Sequence, residues 1–392
     1  MARKIAVGID IGTYQVKVVV AEYVHQNDQT YPQIIATGLS ESKGLRHGYI
    51  INERDIIISI QQAVSEAEKI SGIPIRKAYL AIGGIGLEST VASGSTVISR
   101  ADYEITELDV EKAFDESQAK IPQSSILNRK VLHRIPIQYK VDGKTVLGRP
   151  AGMKGIKLEV KTLFVTCLEQ HLNDLIQAVE NAGIEVLSEI ASPIAASLVT
   201  LSKTQKKAGC VLANVGAETV SIIVYENNTP ISLEVFPIGS TDITHDIALG
   251  LKISIEDAEE LKLGAITPSS FPKKKLEEIV TARLSDIFEL IEAHLKKIGR
   301  DGLLPAGIII TGGGSGIATI DELARSVLRL PSKIAGLESF DFRQTKVRDA
   351  TWAVAYGLCI MSFTDNQTQG GGRNPIAEFI KMIIKWVKQF LP

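Results

Sequence analysis

The sequence predicts an α/β protein made of two related domains that face one another across a cleft. A small α+β insert interrupts the first domain, and an amphipathic helix ends the chain. Three observations carry this reading. Strand and helix signals alternate over residues 1–85, the order expected of an α/β domain. The stretch that opens at Val7 recurs without gaps from Val211. After Phe363 the composition turns polar and glycine-rich, and then becomes amphipathic to the last residue.

The chain has 392 residues, 45% hydrophobic and 22% charged, which suits two or more globular domains with sizeable cores. The formal net charge of −2 gives no basic field for nucleic acid, and no nucleic-acid partner is expected. Cys167, Cys210 and Cys359 lie far apart in apolar contexts, which predicts buried free thiols rather than a metal site. Asp10 interrupts the apolar run after Arg3 and Lys4, making a poor signal peptide. The uncharged run at 350–363 is too short to cross a bilayer. A cytoplasmic protein without a transmembrane helix is expected.

The first element is a hairpin. Val7-Gly8-Ile9-Asp10-Ile11 runs into Gly12-Thr13-Tyr14-Gln15, and Lys17 opens a second apolar run, Val18-Val19-Val20. Such a turn can aim backbone N–H groups at phosphate oxygens, the lysine can add a point charge, and the aspartate can hold a hydrated Mg²⁺. An ordinary hairpin with a polar turn is the alternative. Ile34-Ile35-Ala36 reads as a further strand. Residues 52–71 carry Ile56, Ile60, Ala63, Val64 and Ala67 at helical spacing. Ala78–Ile82 then reads as a strand running into Gly83-Gly84.

Residues 86–165 change character. Strand-like pieces at 88–98, 130–138, 145–147 and 156–165 surround one helix at 107–119, and Asp142-Gly143 is a hairpin turn signal. A helix at 170–182, a strand at 184–190 and a helix at 193–201 follow. Residues 203–207 are a polar boundary.

Beyond that boundary the opening motif returns. Val7 falls on Val211, Asp10 on Asn214, Gly12 on Gly216, Val16 on Val220, Val20 on Val224 and Glu22 on Glu226. A weaker echo pairs residues 80–84 with 309–313. Two copies of one unit imply pseudo-symmetric domains whose turns face one another, and ligand clefts are common between domains. Residues 243–262 read as one polar-faced helix, Phe271-Pro272 as a break, and 274–298 as a long amphipathic helix. Residues 307–316 form a buried strand ending in Gly312-Gly313-Gly314-Ser315, where glycines let a flat ligand approach the backbone. A plain strand-to-helix turn before a helix at 320–327 is the alternative.

Asp365 to Asn374 is a flexible linker by composition. Pro375 then sits where a helix begins. Ile376, Phe379, Ile380, Ile383, Ile384, Val387, Phe390 and Leu391 share one face, Lys381, Lys385 and Lys388 the other, and Trp386 the border. Apolar face, lysines and interfacial tryptophan suit a helix lying in the plane of an anionic membrane surface. Docking on the chain's own core or on a partner helix is the alternative, against which the glycine tether argues.

Together these features resemble the actin/Hsp70/sugar-kinase ATPase superfamily, whose fold is a pair of actin-like (ribonuclease H-like) domains facing across a nucleotide cleft. The insert and residues 239–250 narrow the resemblance to the FtsA family of bacterial cell-division actin homologues. It implies ATP or ADP with Mg²⁺ as ligands. Asp10, Gly12, Thr13, Tyr14, Gln15 and Lys17 would form the first phosphate loop, with Asp10 holding the metal through water. Asn214, Gly216, Ala217, Glu218 and Thr219 would form the second, with Gly239 beside it. Gly312, Gly313, Gly314 and Ser315 would form the adenosine loop, with Glu259 and Lys262 contacting adenosine from a helix.

Asn214 stands where the superfamily usually has aspartate, and Glu218 would place a charge near phosphates, which points to a weak or slow ATPase at most. No catalytic base stands out. The resemblance also implies a first core at 1–85 and 166–202, an insert at 86–165, a second core at 203–245 and 305–363, and a small subdomain at 246–304. A linker at 364–374 and a membrane-targeting helix at 375–392 complete the expected plan. Implied partners are the C-terminal peptide of FtsZ, bound through the small subdomain, other divisome proteins, further copies in a polymer, and the cytoplasmic face of the membrane at the division site. A PilM-like adaptor of a pilus or secretion machine is the alternative within the superfamily.

Overall fold

The computed structural model describes residues 4–26, 29–264, 273–336 and 350–366. The opening hairpin is formed by β1 (Ile5–Ile11) and β2 (Gln15–Gln26), with Val7 opposite Val20 and Asp10 opposite Lys17. Its β-branched valines suit a pleated, buried surface, and Val18, Val19 and Val20 are all inaccessible to solvent. β3 (Gln29–Glu41) continues the meander and is much longer than its apolar centre at 34–36 indicated, because it pairs with β2 along its full length.

A two-rung ladder, β4 (Leu45–Arg46) and β5 (Tyr49–Ile50), leads to α1 (Glu53–Ser71). Asn52 caps α1 by accepting the Asp55 N–H, and Ile56, Ile60, Ala63, Val64 and Ala67 are its buried residues. β6 (Lys77–Ile82) lies parallel to β1.

The insert has its own sheet. β7 (Leu87–Val97) and β8 (Arg129–Val141) flank β10 (Lys157–Leu168), and β9 (Lys144–Val146) pairs with β8 at the edge. Asp142 and Gly143 both have positive φ at the β8–β9 turn, as the Asp-Gly signal requires. α2 (Glu107–Ala119), closed by a Thr106/Asp109 capping box, covers one face with Val110 and Phe114. The chain returns through α3 (Glu169–Asn181), β11 (Glu185–Ala191), parallel to β6, and α4 (Ser192–Thr200).

The expected polar boundary is a short helix, α5 (Lys203–Ala208). Ser202 and Gln205 cap it reciprocally. Lys206 is buried over the Tyr225 ring, and burial pushes its ammonium down to about 8. The second lobe then repeats the first. β12 (Cys210–Val215) and β13 (Val220–Glu226) set Val211 opposite Val224, and β14 (Thr229–Phe236) follows antiparallel.

The single helix read at 243–262 is two helices, α6 (Ser240–Leu251) and α7 (Ile255–Lys262). Lys252 turns left-handed with φ 57°, and Ser254 caps α7 by accepting the Asp257 N–H. α8 (Lys273–Lys297), β15 (Ile308–Thr311), α9 (Ile320–Leu328) and β16 (Ser332–Ile334) complete the lobe. Among the described residues, the two five-stranded sheets have one order: β3-β2-β1-β6-β11 in the first and β14-β13-β12-β15-β16 in the second. Each antiparallel meander is followed by two parallel strands.

The last described helix, α10 (Ala353–Asn366), corrects two sequence boundaries. It runs through residues 364–366, expected as the start of the linker. It also lies against β1, β2, β6 and α4 of the first lobe, rather than with the second core at 305–363. Tyr356 Oη donates to Pro32 O at 2.7 Å, and Ala353, Ala355, Leu358 and Cys359 join the first lobe's core. A helix apolar on every side must be covered on every side. α1 covers the face of the sheet carrying Val18, and α10 the face carrying Val19, so the sheet is sandwiched. All three cysteines are free and buried.

Candidate functional site

The tip of the first hairpin is closed by Gly12 N–H donating to Gln15 O at 3.1 Å. Thr13 and Tyr14 form the bend, and among the described residues their N–H groups have no hydrogen-bond partner. Directly opposed residues on an antiparallel pair share a face, so Asp10 and Lys17 stand side by side. Asp10 is half-buried. Burial raises its carboxyl to about 6, and Lys17 pulls it back down. Lys17 Nζ donates to Thr351 O at 3.1 Å, 5.9 Å from the Trp352 ring.

The second tip is closed the same way, by Gly216 N–H donating to Thr219 O at 2.9 Å. Asn214 takes the place of Asp10 and Ser221 that of Lys17. α6 begins on this loop: Ser240 N–H donates to Gly216 O at 2.9 Å and Thr241 N–H to Ala217 O at 2.8 Å. Gly239 is needed for that approach, since a Cβ there would lie 2.2 Å from Ala217 O. Glu218 does not keep its carboxylate for the tip. Its Oε2 accepts the His47 N–H of the first lobe at 2.5 Å, and its carbonyl lies 3.1 Å from His47 Nδ1. The unfavourable charge expected there is thus engaged by a donor from the other lobe.

The glycine loop packs on the second tip. Gly312 has φ 89°, and a Cβ would lie 2.3 Å from Asn214 Oδ1 and 2.5 Å from Val215 O, so only glycine fits. Gly313, Gly314 and Ser315 form a 3-10 turn, with Ser315 Oγ donating to Gly312 O at 2.7 Å. On α7, Lys262 Nζ donates to Ser240 O at 3.2 Å and Thr244 Oγ1 at 2.9 Å, and pairs with Glu259 at 2.7 Å. Thr244 Oγ1 in turn donates to Glu259 Oε2 at 2.6 Å. Only 4% of the Lys262 side chain is exposed, so it braces the start of α6 more than it presents a charge.

A family model described as "Cell division protein FtsA" matches residues 211–357, and one described as "SHS2 domain inserted in FTSA" matches 84–166. The cell division protein FtsA of Borreliella burgdorferi is 32% identical over 382 residues, 92% of this chain and 91% of that protein. The chain belongs to the FtsA family. FtsA of Pseudomonas aeruginosa is 27% identical, covering 98% of each chain, and FtsA of Bacillus subtilis 29%, covering 93% of this chain and 84% of that one. Among solved structures, a PilM-PilN type IV pilus biogenesis complex superposes with TM-score 0.66 at 16% identity over 91% of this chain and 98% of that one. MreB5 of Spiroplasma citri bound to ADP superposes with TM-score 0.54 at 13% identity, covering 94% and 99%. These likenesses give the actin-like ATPase fold.

Within this FtsA-family chain, Asn214, Gly216, Ala217, Gly239 and Gly312 are in direct packing, and Ser240 ties Glu259 and Lys262 to them. Asp10 and Lys17 join through the segment at 350–352: Thr351 O holds Lys17, and Ala350 O accepts from Thr311 Oγ1 at 3.2 Å. That segment and His47 lie outside the loops legible in the sequence. Neither carries a motif; only the tertiary fold brings them to the loops. The residues read as membrane-binding, 376–391, lie outside the described residues, and no described helix is long and apolar enough to cross a membrane.

The described residues hold no cluster of three or more metal-binding side chains. A lone, half-buried carboxylate raised by burial suits a cation that keeps most of its water, as Mg²⁺ does. The partnerless N–H groups at 13 and 14 suit an anion. Asp10 and the first tip could therefore hold a hydrated Mg²⁺ and phosphates.

Proposed function

We propose that this chain is an ATP-binding, actin-like division protein that polymerises on the cytoplasmic membrane and anchors FtsZ filaments to it. Membership of the FtsA family is the observation that carries the reading. The twin hairpins with one register support its nucleotide part. The first tip, with Asp10 and Lys17, would hold phosphates and hydrated Mg²⁺. The second tip and Gly312–Ser315 would hold the rest of the nucleotide against β12 and the start of α6. Bound nucleotide supplies negative charge to both lobes at once. The chain's own contribution is the arrangement that reads it: a tip carrying Lys17 on one lobe, a tip with Asn214 and Ser221 in the matching positions on the other, and the Glu218–His47 contact between the lobes. A ligand gripped better by one arrangement of the lobes shifts the population toward it, and nucleotide would favour the polymer in this way. The neutral Asn214 and the engaged Glu218 leave no evident base, so hydrolysis would be slow.

The end of the chain would deliver this state to the membrane. Each lysine near anionic lipid contributes about 1 kcal/mol, and a row of helices on a polymer binds with avidity. The small subdomain at 246–304 would take the FtsZ C-terminal peptide. Co-sedimentation with anionic liposomes tests the reading: full-length protein should pellet, and a chain ending at Asn366 should stay in the supernatant. Equal pelleting of the two would remove the membrane assignment. Retained liposome binding combined with failure to bind ATP would remove the nucleotide assignment alone.

A further inference from the structure

The insert carries a second concentration of charge, remote in sequence from every loop of the nucleotide cleft. On β10, Lys157, Glu159 and Lys161 alternate with Leu158 and Val160. The even residues pack with Val110 and Phe114 of α2, so the odd ones occupy the uncovered face. The register brings Lys140 of β8 directly opposite Glu159, and Gln138 opposite Lys161. On the other side β7 sets Ser95 opposite Glu159 and Ser93 opposite Lys161. Lys120, the residue that ends α2, reaches the same place, and the side chains enclose an open pocket of about 290 Å³.

Four lysines therefore surround one carboxylate. That carboxylate is already spoken for: Glu159 is ion-paired to Lys157. Its acidity is strengthened by the hydrogen bond from Lys157 and by the charges of Lys157, Lys140 and Lys120. The hydroxyls of Ser93 and Ser95 add neutral hydrogen-bond donors to the rim, while the Gln138 amide donates to Thr145 Oγ1 at 3.1 Å. Like charges held this close on a sheet repel one another, and a bound anion would relieve that repulsion. The lysine ammonium is a point charge that suits phosphate oxygens without demanding one orientation. The charges converge on one pocket instead of tracking along a strand, which favours a compact ligand over an extended acidic peptide.

We propose that this pocket of the insert is a binding site for a soluble, compact anion carrying two or more phosphate groups, separate from the nucleotide cleft. The test is calorimetric titration of the full chain with inorganic tripolyphosphate. A Lys17→Ala background removes the charge of the first phosphate loop. Binding should persist there, and Lys140→Ala/Lys161→Ala should weaken it by about tenfold or more, since charge-assisted contacts are lost. Removing the same number of exposed lysines from α8, by Lys273→Ala/Lys274→Ala, should change it by less than about twofold. Thermal melting of each variant confirms that the sheet has folded. No binding to the Lys17→Ala protein would overturn the proposal. So would equal loss in both pairs of lysine variants, or a hexaglutamate peptide binding the pocket more tightly than tripolyphosphate.

Discussion

The hairpins β1–β2 and β12–β13 share a register, a closing hydrogen bond and a sheet position, yet they carry different chemistry. The first sets Asp10 against Lys17. The second sets Asn214 against Ser221, and its carboxylate, moved to Glu218, is bonded to the opposite lobe. The two backbones match, but only the first sets a carboxylate against a lysine. The nearby Lys17 charge offsets part of the burial cost of the aspartate and leaves a charged tip for a ligand. The neutral pair needs no such compensation, so the second tip can be packed closely by Gly312 and by the start of α6.

The packing difference should give the largest effect. Gly83 and Gly312 are counterparts in the repeat, but only Gly312 has positive φ and backbone atoms in the way of a Cβ. Gly312→Ala should cost about 3 kcal/mol or more, from left-handed strain and the required shift of β12. Gly83→Ala meets only Ser192 Oγ at 3.0 Å, a side chain able to rotate, and should cost about 1 kcal/mol. Urea unfolding of both variants measures this; equal losses would show that the two glycine loops are not packed differently.

The charge difference comes next. The Asp10 carboxyl is raised above its unfolded value of 3.8, to about 6. Its contribution to stability is therefore complete below pH 4 and is lost as pH rises through 6. Without nucleotide or metal, ionised Asp10 should cost up to about 3 kcal/mol above that pH, less to the extent that solvent reaches it. Asp10→Asn should then be more stable than the parent at pH 8 and lose that advantage at pH 4. A pH-independent difference in urea midpoint would contradict the burial of this carboxyl.

The contact between lobes should give the smallest effect. Glu218→Gln keeps an acceptor for the His47 N–H but removes the charge, and should cost about 0.5–1 kcal/mol. Faster hydrogen exchange at the His47 amide is the specific readout. Unchanged exchange would mean that the contact does not hold the lobes.

Much of this was legible in the sequence because the repeat is written in residues that face the core. Val7, Val16 and Val20 recur as Val211, Val220 and Val224, and a two-residue period leaves little choice of register. Ser254-x-x-Asp257 and Ser202-x-x-Gln205 carry the capping signals of α7 and α5, but each lies beside a stronger cue, the helical spacing across 243–262 and the polar run at 203–207. The return of α10 to the first lobe has no local signal. Its sequence says only that it is buried all round, and the partner that buries it begins more than 300 residues earlier. The same holds for His47 and Thr351, whose roles depend on where the fold brings them. Glu218 was legible as a charge at the tip, but not as a charge already bonded.

On the proposed function, nucleotide would be gripped by the charge on one lobe and only positioned by the other. Calorimetric titration of Mg²⁺-ATP into the parent, Lys17→Ala and Ser221→Ala tests it directly, since Lys17 and Ser221 occupy one register position in the two hairpins. Loss of Lys17 should weaken binding by about a hundredfold, as expected for a charge-assisted phosphate contact, and loss of Ser221 by less than about threefold. Equal affinities for Lys17→Ala and the parent, or a larger loss on Ser221→Ala, would show that the charge of the first tip does not grip the nucleotide.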